Sequence, residues 1–227
     1  MKTKIKAILF DMDGIIIDSE VYWAKLEKKF AEAHGIKFTP AYRRYIMARS
    51  EREVAAIFKH EFGFKESEEE IRRERDKIAY NIYHHQAKLM PGFLMLAKKF
   101  NQDGFLVALV SSSPYAWINP ILRRRHLRPF FKKIVSADDM RDGRAKPDPA
   151  IYLFSAKQLK VKPQECLVFE DSINGMRAAK AAGMTCVIIP DRRWVKDRRG
   201  AGEANLIATS LKDKRILKML SRHTISI

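Results

Sequence analysis

A short apolar run that ends in two aspartates is the feature that most constrains how this chain can fold. The run covers residues 5–9 and predicts a buried strand, and Asp11, Asp13 and Gly14 lie in the loop that follows. In open α/β sheets, ligands bind at the carboxyl ends of strands, so carboxylates at this place indicate a functional site. Aspartate and glycine are also common in turns, and the pair alone leaves both interpretations open.

Strands and helices alternate along most of the chain. Continuous apolar runs predict further strands at 105–110, 133–136, 166–169 and 185–189, with a short edge strand at 206–208. Helical periodicity predicts helices at 20–33, 93–101, 115–126, 150–159, 176–182 and 211–220. Strands that alternate with helices form parallel sheets with right-handed crossovers. The predicted fold class is therefore α/β, with a Rossmann-like, doubly wound parallel sheet as its core.

Residues 36–86 interrupt this alternation. Apolar residues recur there at every third or fourth position, which is typical of helices, as at Val54, Ile57, Phe58, Ile71, Ile78 and Ile82. We expect an inserted α-helical domain at 18–87, and a core formed by 1–17 and 88–227. The charged segment 66–75 predicts the exposed face of a helix in this insertion, and the basic segment 192–199 predicts an exposed loop.

Polar residues occur at several of the predicted strand exits and loops. Besides Asp11 and Asp13, they are Ser111, Lys146, Glu170 and Asp171. Because all strands of a parallel sheet end on the same edge, we expect these side chains to converge. Four separate polar signals at one edge are much harder to explain as turn formation than a single pair.

The converging side chains have the chemistry that phosphoryl transfer requires. Carboxylates on two strand ends suit Mg²⁺, which binds through a few carboxylates together with substrate phosphate. Ser111 and the N–H groups of its turn suit phosphate oxygens, and Lys146 offers a compact positive charge. Asp11 can attack phosphorus as a carboxylate, and Asp13 can donate a proton to the leaving group and later accept one from water.

These residues resemble the motifs of a known family. In sequence order, the four motifs of the haloacid dehalogenase-like hydrolase superfamily are similar to the segment 10–14 (FDMDG), Ser111, Lys146 with Pro147, and Glu170 with Asp171. The helical insertion resembles the C1-type cap of that superfamily. The segments 10–20 and 170–176 resemble the subgroup that contains β-phosphoglucomutase and the small sugar-phosphate phosphatases.

The resemblance implies a role for each motif residue. Asp11 would be the nucleophile and a Mg²⁺ ligand, and Asp13 the general acid and base that offers its backbone carbonyl to the metal. Asp171 would be a further metal ligand, and Glu170 would contact the metal directly or through water. The phosphoryl group would be held by Ser111, Ser112 and Lys146.

The resemblance also implies a reaction: Mg²⁺-dependent hydrolysis of small phosphorylated metabolites, of the sugar or sugar-alcohol phosphate type, through an aspartyl-phosphate. The alternative is a phosphosugar mutase. Mutases that resemble this chain carry a histidine in the first cap helix and an arginine in a glycine-containing cap loop. This chain has Trp23 at the first position and a glycine-free loop at 47–51 with Arg49, which favours the phosphatase. The candidate substrate contacts in the cap are Glu20, Trp23 and Arg49.

The composition narrows the classes of function and cellular location that remain open. With 44 Lys and Arg against 27 Asp and Glu, the net charge is +17, which favours anionic partners. No nucleic-acid motif accompanies the charge, so nucleic-acid binding is only a distant alternative. No apolar run approaches the roughly 20 residues of a membrane span, and the N-terminal run is broken by aspartates, unlike a signal peptide. We expect a cytoplasmic monomer in which Cys166 and Cys186 are reduced core thiols.

Overall fold

A six-stranded parallel sheet forms the centre of the protein, seen in a computed structural model that describes residues 4–140, 143–191 and 199–221. The strands are β1 (Ala7–Phe10), β2 (Ile17–Asp18), β3 (Lys88–Leu89), β4 (Leu106–Val110), β5 (Lys133–Val135), β6 (Cys166–Glu170), β7 (Thr185–Ile188) and β8 (Leu206–Ile207). The main sheet has the order β5-β4-β1-β6-β7-β8, and all its neighbouring pairs are parallel. The predicted α/β class is confirmed.

The central strand β1 lies between β4 and β6. Phe10, the last residue of β1, is in register with Leu109 of β4 and Phe169 of β6. The carboxyl ends of these three strands therefore lie side by side, which places Asp11 between the residues that end β4 and those that end β6.

Helices cover both faces of the sheet. The α-helices are α1 (Glu20–Ala33), α2 (Pro40–Ile46), α3 (Glu51–His60), α4 (Glu68–Asn81), α5 (Phe93–Gln102), α6 (Tyr115–Arg124), α7 (Ala150–Leu159), α8 (Ile173–Ala181) and α9 (Lys214–Ser221). Shorter helical turns cover Ile82–Gln86, Arg128–Phe130, Ala137–Asp139, Pro163–Glu165 and Arg199–Ala201. Alternate residues of β1 enter different hydrophobic clusters, because successive strand residues point to opposite faces: Ile8 and Phe10 pack with α5, α6 and α9, and Ala7 and Leu9 with α7 and α8.

The helical insertion, defined here as Glu20–Gln86, is joined to the sheet through the short antiparallel pair β2 and β3. Ile17 pairs with Leu89, and Asp18 pairs with Lys88. The sequence did not predict this pair, because strands of two residues are too short to show a period-two pattern. The insertion is helical as expected, and the domain bounds at 18 and 87 stay a prediction.

The insertion has a hydrophobic core of its own, which includes Phe30, Phe58 and Ile71. Two capping boxes fix where α3 and α4 begin. The hydroxyls of Ser50 and Ser67 accept hydrogen bonds from backbone N–H groups in the first turns of α3 and α4, and glutamates in the same turns bond back to the serine backbones. The insertion therefore holds its shape through its own packing and caps.

The observed helix bounds agree with the predicted ones where local signals mark them. α1 has the predicted bounds. α8 begins at Ile173 instead of Met176, because Ser172 caps it by accepting a hydrogen bond from the N–H of Gly175 at 2.9 Å. α9 begins after Asp213, whose carboxylate accepts from the backbone N–H of Arg215. The predicted basic loop lies, for 192–198, outside the described residues.

Two further expectations concern membranes and thiols. Among the described residues, no helix is long and apolar enough to cross a membrane. Cys166 and Cys186 are both buried and unpaired with each other, as predicted. Burial raises the pKa of the Cys166 thiol to about 12, which keeps it protonated at neutral pH.

Candidate active site

The loop after β1 brings Asp11 and Asp13 to the carboxyl edge of the sheet. Asp11 is 5% exposed, and its backbone N–H donates to the carbonyl of Phe169 at 3.0 Å. Gly14 has a φ of 76°, and a Cβ at this position would lie 2.1 Å from Oδ2 of Asp171. Both backbone conformation and space therefore require glycine here, and the carboxylate of Asp171 packs directly against the loop.

Lys146 joins the ends of β1 and β6. Its side chain is fully buried, and its Nζ donates to Oδ1 of Asp11 at 2.7 Å and to Oε1 of Glu170 at 2.6 Å. Burial alone would lower the pKa of Lys146, but the two carboxylates raise it, so the side chain stays charged. Glu170 also accepts a hydrogen bond from the hydroxyl of Tyr152 at 2.5 Å. Lys146 is therefore the positive charge that holds two buried carboxylates at one point.

Three carboxylates at this edge could hold a metal ion. Oxygens of Asp11, Glu170 and Asp171 lie within 4.8 Å of one another, and all three residues are buried. Oδ2 of Asp171 is buried without a hydrogen-bond partner. Burial, together with neighbouring carboxylates, raises the pKa of Asp11 and of Asp171. An unpartnered carboxylate oxygen in a crowded acidic group fits a hard cation, whose charge would stabilise all three.

Asp13 is surrounded by hydroxyl donors. Its Oδ1 accepts hydrogen bonds from Ser19 at 2.5 Å and from Tyr83 at 2.9 Å, and its Oδ2 accepts one from Ser113 at 3.1 Å. Burial raises the pKa of Asp13, although the three hydrogen bonds act in the opposite direction. A carboxyl group whose proton affinity is raised suits proton transfer. The side chain of Asp13 is not one of the three carboxylates that could hold a metal ion.

The serines after β4 have different partners. The hydroxyl of Ser111, which is 2% exposed, accepts from the backbone N–H of Ser113 at 3.1 Å. The hydroxyl of Ser112 donates to the carbonyl of Ala48 at 2.7 Å and so connects the core to the helical insertion. Both serines line the cavity at this edge. Their roles in phosphate binding remain predictions.

A cavity of about 60 Å³ lies between this edge of the sheet and the insertion. Most of the predicted site residues line it: Asp11, Asp13, Ser111, Ser112, Asp171, Glu20, Trp23 and Arg49. Lys146 and Glu170 are fully buried and do not line it. The structure therefore brings the predicted residues together around one small polar space.

The three cap candidates make different contacts. The indole Nε1 of Trp23 donates to the hydroxyl of Tyr83 at 3.1 Å, so Trp23 supports a donor to Asp13. The guanidinium of Arg49 donates through Nε to the backbone carbonyl of Tyr45 at 2.9 Å, and it lies 4.7 Å from the centre of the Tyr45 ring. Glu20 forms an ion pair with a buried arginine, described next.

Besides Arg49, five buried or half-buried charged residues of the insertion line the cavity, and we call these five the charged wall: Glu20, Glu27, Arg43, Glu51 and Arg75. Glu27 binds both arginines, at 2.5 Å from Arg43 and 3.1 Å from Arg75. Arg75 is only 3% exposed, so the predicted exposed face at 66–75 is wrong for this residue. Arg75 is buried because Glu27 and Glu51 balance its charge and its guanidinium lies 4.8 Å from the ring of Trp23.

The sequence and the fold of this chain are similar to those of known proteins. The sequence matches the family model of a haloacid dehalogenase-like hydrolase over residues 5–183, which is well over half of the chain. The chain belongs to the haloacid dehalogenase-like hydrolase family. The predicted family is thereby confirmed.

Relatives within the haloacid dehalogenase-like family include named phosphatases. The chain is 32% identical over 180 residues to a phosphorylated carbohydrates phosphatase of Thermotoga maritima, covering 79% of this chain and 82% of the relative. It is 31% identical over 201 residues to hexitol phosphatase B of Escherichia coli K12, covering 86% and 88%. A crystal structure of β-phosphoglucomutase from Clostridium difficile matches with a TM-score of 0.78 and 25% identity, covering 96% of this chain and 97% of the other. This family member is an enzyme that hydrolyses phosphoric monoesters.

Sequence reasoning missed the groups that hold Asp13. Ser113 stands in the serine run after β4 and could have been included. Ser19 directly precedes α1, where serine is a common helix cap, but its hydroxyl makes no capping bond to α1 and donates to Asp13. Tyr83, which lies 70 residues away in sequence, carries no local signal of its role.

Replacing Gly14 by alanine is expected to destabilise the protein by more than about 3 kcal/mol and to lower kcat at least tenfold. The left-handed φ costs about 1–2 kcal/mol for any L-residue, and the Cβ would in addition displace Asp171. Gly35 is the matched control, because it has the same φ of 76° and no atom within 4 Å of a Cβ. Urea unfolding and phosphate release measure both variants; equal effects of Gly14→Ala and Gly35→Ala would contradict the steric explanation.

Replacing Glu20 by glutamine is expected to change how stability depends on pH. Burial raises the pKa of Glu20 to about 7 from 4.5, so between these values the folded state holds a proton that the unfolded state releases. Glu20 therefore contributes stability that is present below about pH 4.5 and is lost as the pH rises through about 7. Between pH 5 and pH 7.5, the free energy of unfolding of the wild type should fall by on the order of 2 kcal/mol relative to that of Glu20→Gln.

Urea unfolding with EDTA at both pH values measures this difference. Glu32→Gln is the control, since Glu32 is an exposed residue of the same helix that pairs only with Lys28 at 3.7 Å among the ion pairs of the described chain. Parallel pH curves for the wild type and Glu20→Gln would contradict the prediction.

Proposed function

We propose that this enzyme is a Mg²⁺-dependent phosphatase of small phosphorylated metabolites, of the sugar or sugar-alcohol phosphate type, which works through an aspartyl-phosphate. The observation that carries the proposal is the placement of Asp11 and Asp13 on one cavity, with Lys146 bound to the first and three hydroxyls bound to the second. The relatives named as phosphatases of phosphorylated carbohydrates and hexitols support the substrate class.

In the first step, a carboxylate oxygen of Asp11 attacks the phosphorus, and the ester P–O bond breaks. Lys146 binds Oδ1 of Asp11 and fixes the carboxylate for the attack. Asp13 gives its proton to the departing alcohol oxygen, and the raised pKa of its buried carboxyl favours the protonated form that this step needs. Bound to Asp11, Glu170 and Asp171, Mg²⁺ would neutralise charge on the phosphoryl oxygens.

In the second step, Asp13 removes a proton from water, which attacks the phosphorus of the aspartyl-phosphate. Inorganic phosphate leaves, and Asp11 returns to its carboxylate form. Ser19, Tyr83 and Ser113 hold Asp13 in place for both proton transfers. We propose that the insertion acts as a cap with bounds near 18 and 87, which excludes bulk water from the first step.

Phosphate release from a panel of sugar, hexitol and glycerol phosphates tests the proposal. Wild-type protein should release phosphate with Mg²⁺ and lose activity with EDTA, and Asp11→Asn supplies the background. Equal release by both proteins would refute the proposal. A phosphosugar mutase, which the structural likeness to β-phosphoglucomutase keeps as the second candidate, would instead need a bisphosphate activator and form isomerised sugar phosphate in excess of free phosphate.

The net charge of +17 has no assigned partner. Attraction of phosphorylated substrates is consistent with it. It stays a prediction that the protein is monomeric and cytoplasmic and that nucleic acid is not its main partner. Gel-shift titrations at rising salt test the nucleic-acid part, because binding through phosphate contacts falls steeply with salt concentration.

A further inference from the structure

Tyr152 is a fully buried tyrosine that belongs to none of the four sequence motifs and contacts two residues of the candidate active site. It lies on α7, the helix that follows the loop of Lys146. Its hydroxyl donates to Oε1 of Glu170 at 2.5 Å, and the centre of its ring lies 5.1 Å from Nζ of Lys146. The proposed reaction steps use Glu170 and Lys146 and give no role to this hydroxyl.

The hydrogen bonds to Glu170 show which of its oxygens can still bind a ligand. An ionised carboxylate has about four acceptor positions, two on each oxygen. Oε1 of Glu170 accepts from Tyr152 and, at 2.6 Å, from Nζ of Lys146. Oε2 accepts from the hydroxyl of Ser172 at 3.2 Å, and that hydroxyl accepts from the N–H of Gly175 at 2.9 Å. Among the described residues, these three donors leave one acceptor position, and it is on Oε2.

Close packing limits how the carboxylate of Glu170 can turn. A Cβ on Gly175 would lie 2.0 Å from Oε1 and 2.2 Å from Oε2, so both oxygens lie against the backbone of α8. The two donors to Oε1 differ in what else they bind. Lys146 also donates to Asp11 at 2.7 Å, whereas Tyr152 has a single O–H and uses it on Glu170. Tyr152 is therefore the donor that fixes Glu170 independently of Asp11.

The orientation of Glu170 matters because it is one of the three carboxylates that could hold a metal ion. Groups that hydrogen-bond to a metal ligand orient it and tune its affinity for the metal. We propose that Tyr152 is a positioning residue of the Mg²⁺ site, whose hydroxyl holds Oε1 of Glu170 so that Oε2 serves the cation or a water molecule bound to it. The inference rests on the proposed Mg²⁺-dependent function and adds a residue that acts on metal affinity through Glu170.

Tyr152→Phe tests the proposal, because it removes the hydroxyl and keeps the ring beside Lys146. We expect the Kd for Mg²⁺, measured by isothermal titration calorimetry on EDTA-treated and dialysed protein, to rise at least about tenfold. Half-maximal phosphate release from p-nitrophenyl phosphate should require at least about ten times more Mg²⁺. Tyr115→Phe is the matched control, since the Tyr115 hydroxyl donates to the carboxylate of Asp139 at 2.7 Å, which is not one of the three carboxylates. It should leave the Kd for Mg²⁺ unchanged.

Gly175→Ala is a second variant that displaces Glu170 without touching Tyr152. Its Cβ would push the carboxylate from its place, so the Kd for Mg²⁺ should rise here as well. Urea unfolding in EDTA shows whether each variant is folded. The proposal is overturned if folded Tyr152→Phe binds Mg²⁺ as tightly as the wild type or more tightly, if Tyr115→Phe weakens binding equally, or if folded Gly175→Ala keeps the wild-type Kd.

The wild type separates this inference from the proposed function. If the wild type neither binds Mg²⁺ nor releases phosphate from p-nitrophenyl phosphate, the proposed function fails and the role of Tyr152 fails with it. If the wild type does both and Tyr152→Phe retains the wild-type Kd, only the role of Tyr152 is refuted.

Discussion

Replacing Asp11 by asparagine is expected to lower kcat for phosphomonoesters by about 10⁴-fold or more, with the fold intact. The amide oxygen can still accept the hydrogen bond from Lys146, so the side chain keeps its place. It is a poor nucleophile and does not form the acyl phosphate. Loss of its charge also relieves repulsion from Glu170, since burial and that carboxylate raise the pKa of Asp11. We therefore expect the unfolding free energy to change by less than about 1 kcal/mol.

Phosphate release and urea unfolding of the same preparations measure the two effects. Asp103→Asn is the control, because Asp103 is a surface carboxylate that pairs with Lys99 and lies away from the cavity. It should leave kcat unchanged. If Asp11→Asn is folded and keeps more than about a hundredth of the wild-type kcat, Asp11 is not the nucleophile.

The order and type of the sheet elements could be predicted because their signals are local. Strands of a parallel sheet are buried on both faces and appear as continuous apolar runs, which is why β1, β4, β6 and β7 were found. The same order predicted that Asp11, Ser111 and Glu170 would share one edge. The pair β2 and β3 was missed, since its stability depends on two segments that are distant in sequence.

The surroundings of Asp13 could be predicted only in part. Tyr83 and Ser19 donate to it, but a tyrosine after a helix and a serine before one have common structural roles that need no catalytic partner. Their function depends on how the insertion packs against the sheet. That packing leaves no periodic pattern in the sequence.

The charged wall shows where sequence reasoning was wrong. Arginine and glutamate are mostly exposed, so a charged segment such as 66–75 predicts a solvated face. Glu27, Arg43 and Arg75 come from α1, α2 and α4, and their charges balance only after these helices have packed.

Replacing Lys146 by methionine is expected to lower the unfolding free energy by about 3–5 kcal/mol and to abolish detectable turnover. The wild-type side chain is fully buried and bonds to both Asp11 and Glu170. Methionine has a similar length and fills the space, but it leaves two buried carboxylates without their cation, and removal of one partner of a buried ion pair has about this cost. Lys157→Met is the control, since Lys157 is exposed on α7 and should change stability by less than about 0.5 kcal/mol.

The double variant Lys146→Met/Glu170→Gln tests whether uncompensated charge is the cause. Glutamine removes one of the two charges that Lys146 balanced and still accepts the hydrogen bond from Tyr152, so the double variant should be at least about 1 kcal/mol more stable than Lys146→Met alone. The deficit of Lys146→Met should also shrink as the pH falls, because burial and the Glu170 carboxylate raise the pKa of Asp11, so its carboxyl takes up a proton and loses its charge more readily than an exposed aspartate does. Urea unfolding in EDTA at pH 5 and pH 8 measures both effects. The electrostatic explanation would be contradicted if the double variant were less stable than Lys146→Met and if the stability deficit of Lys146→Met did not depend on pH. Lys146 would then stabilise the site through packing, and its electrostatic role in fixing Asp11 for attack would have to be abandoned.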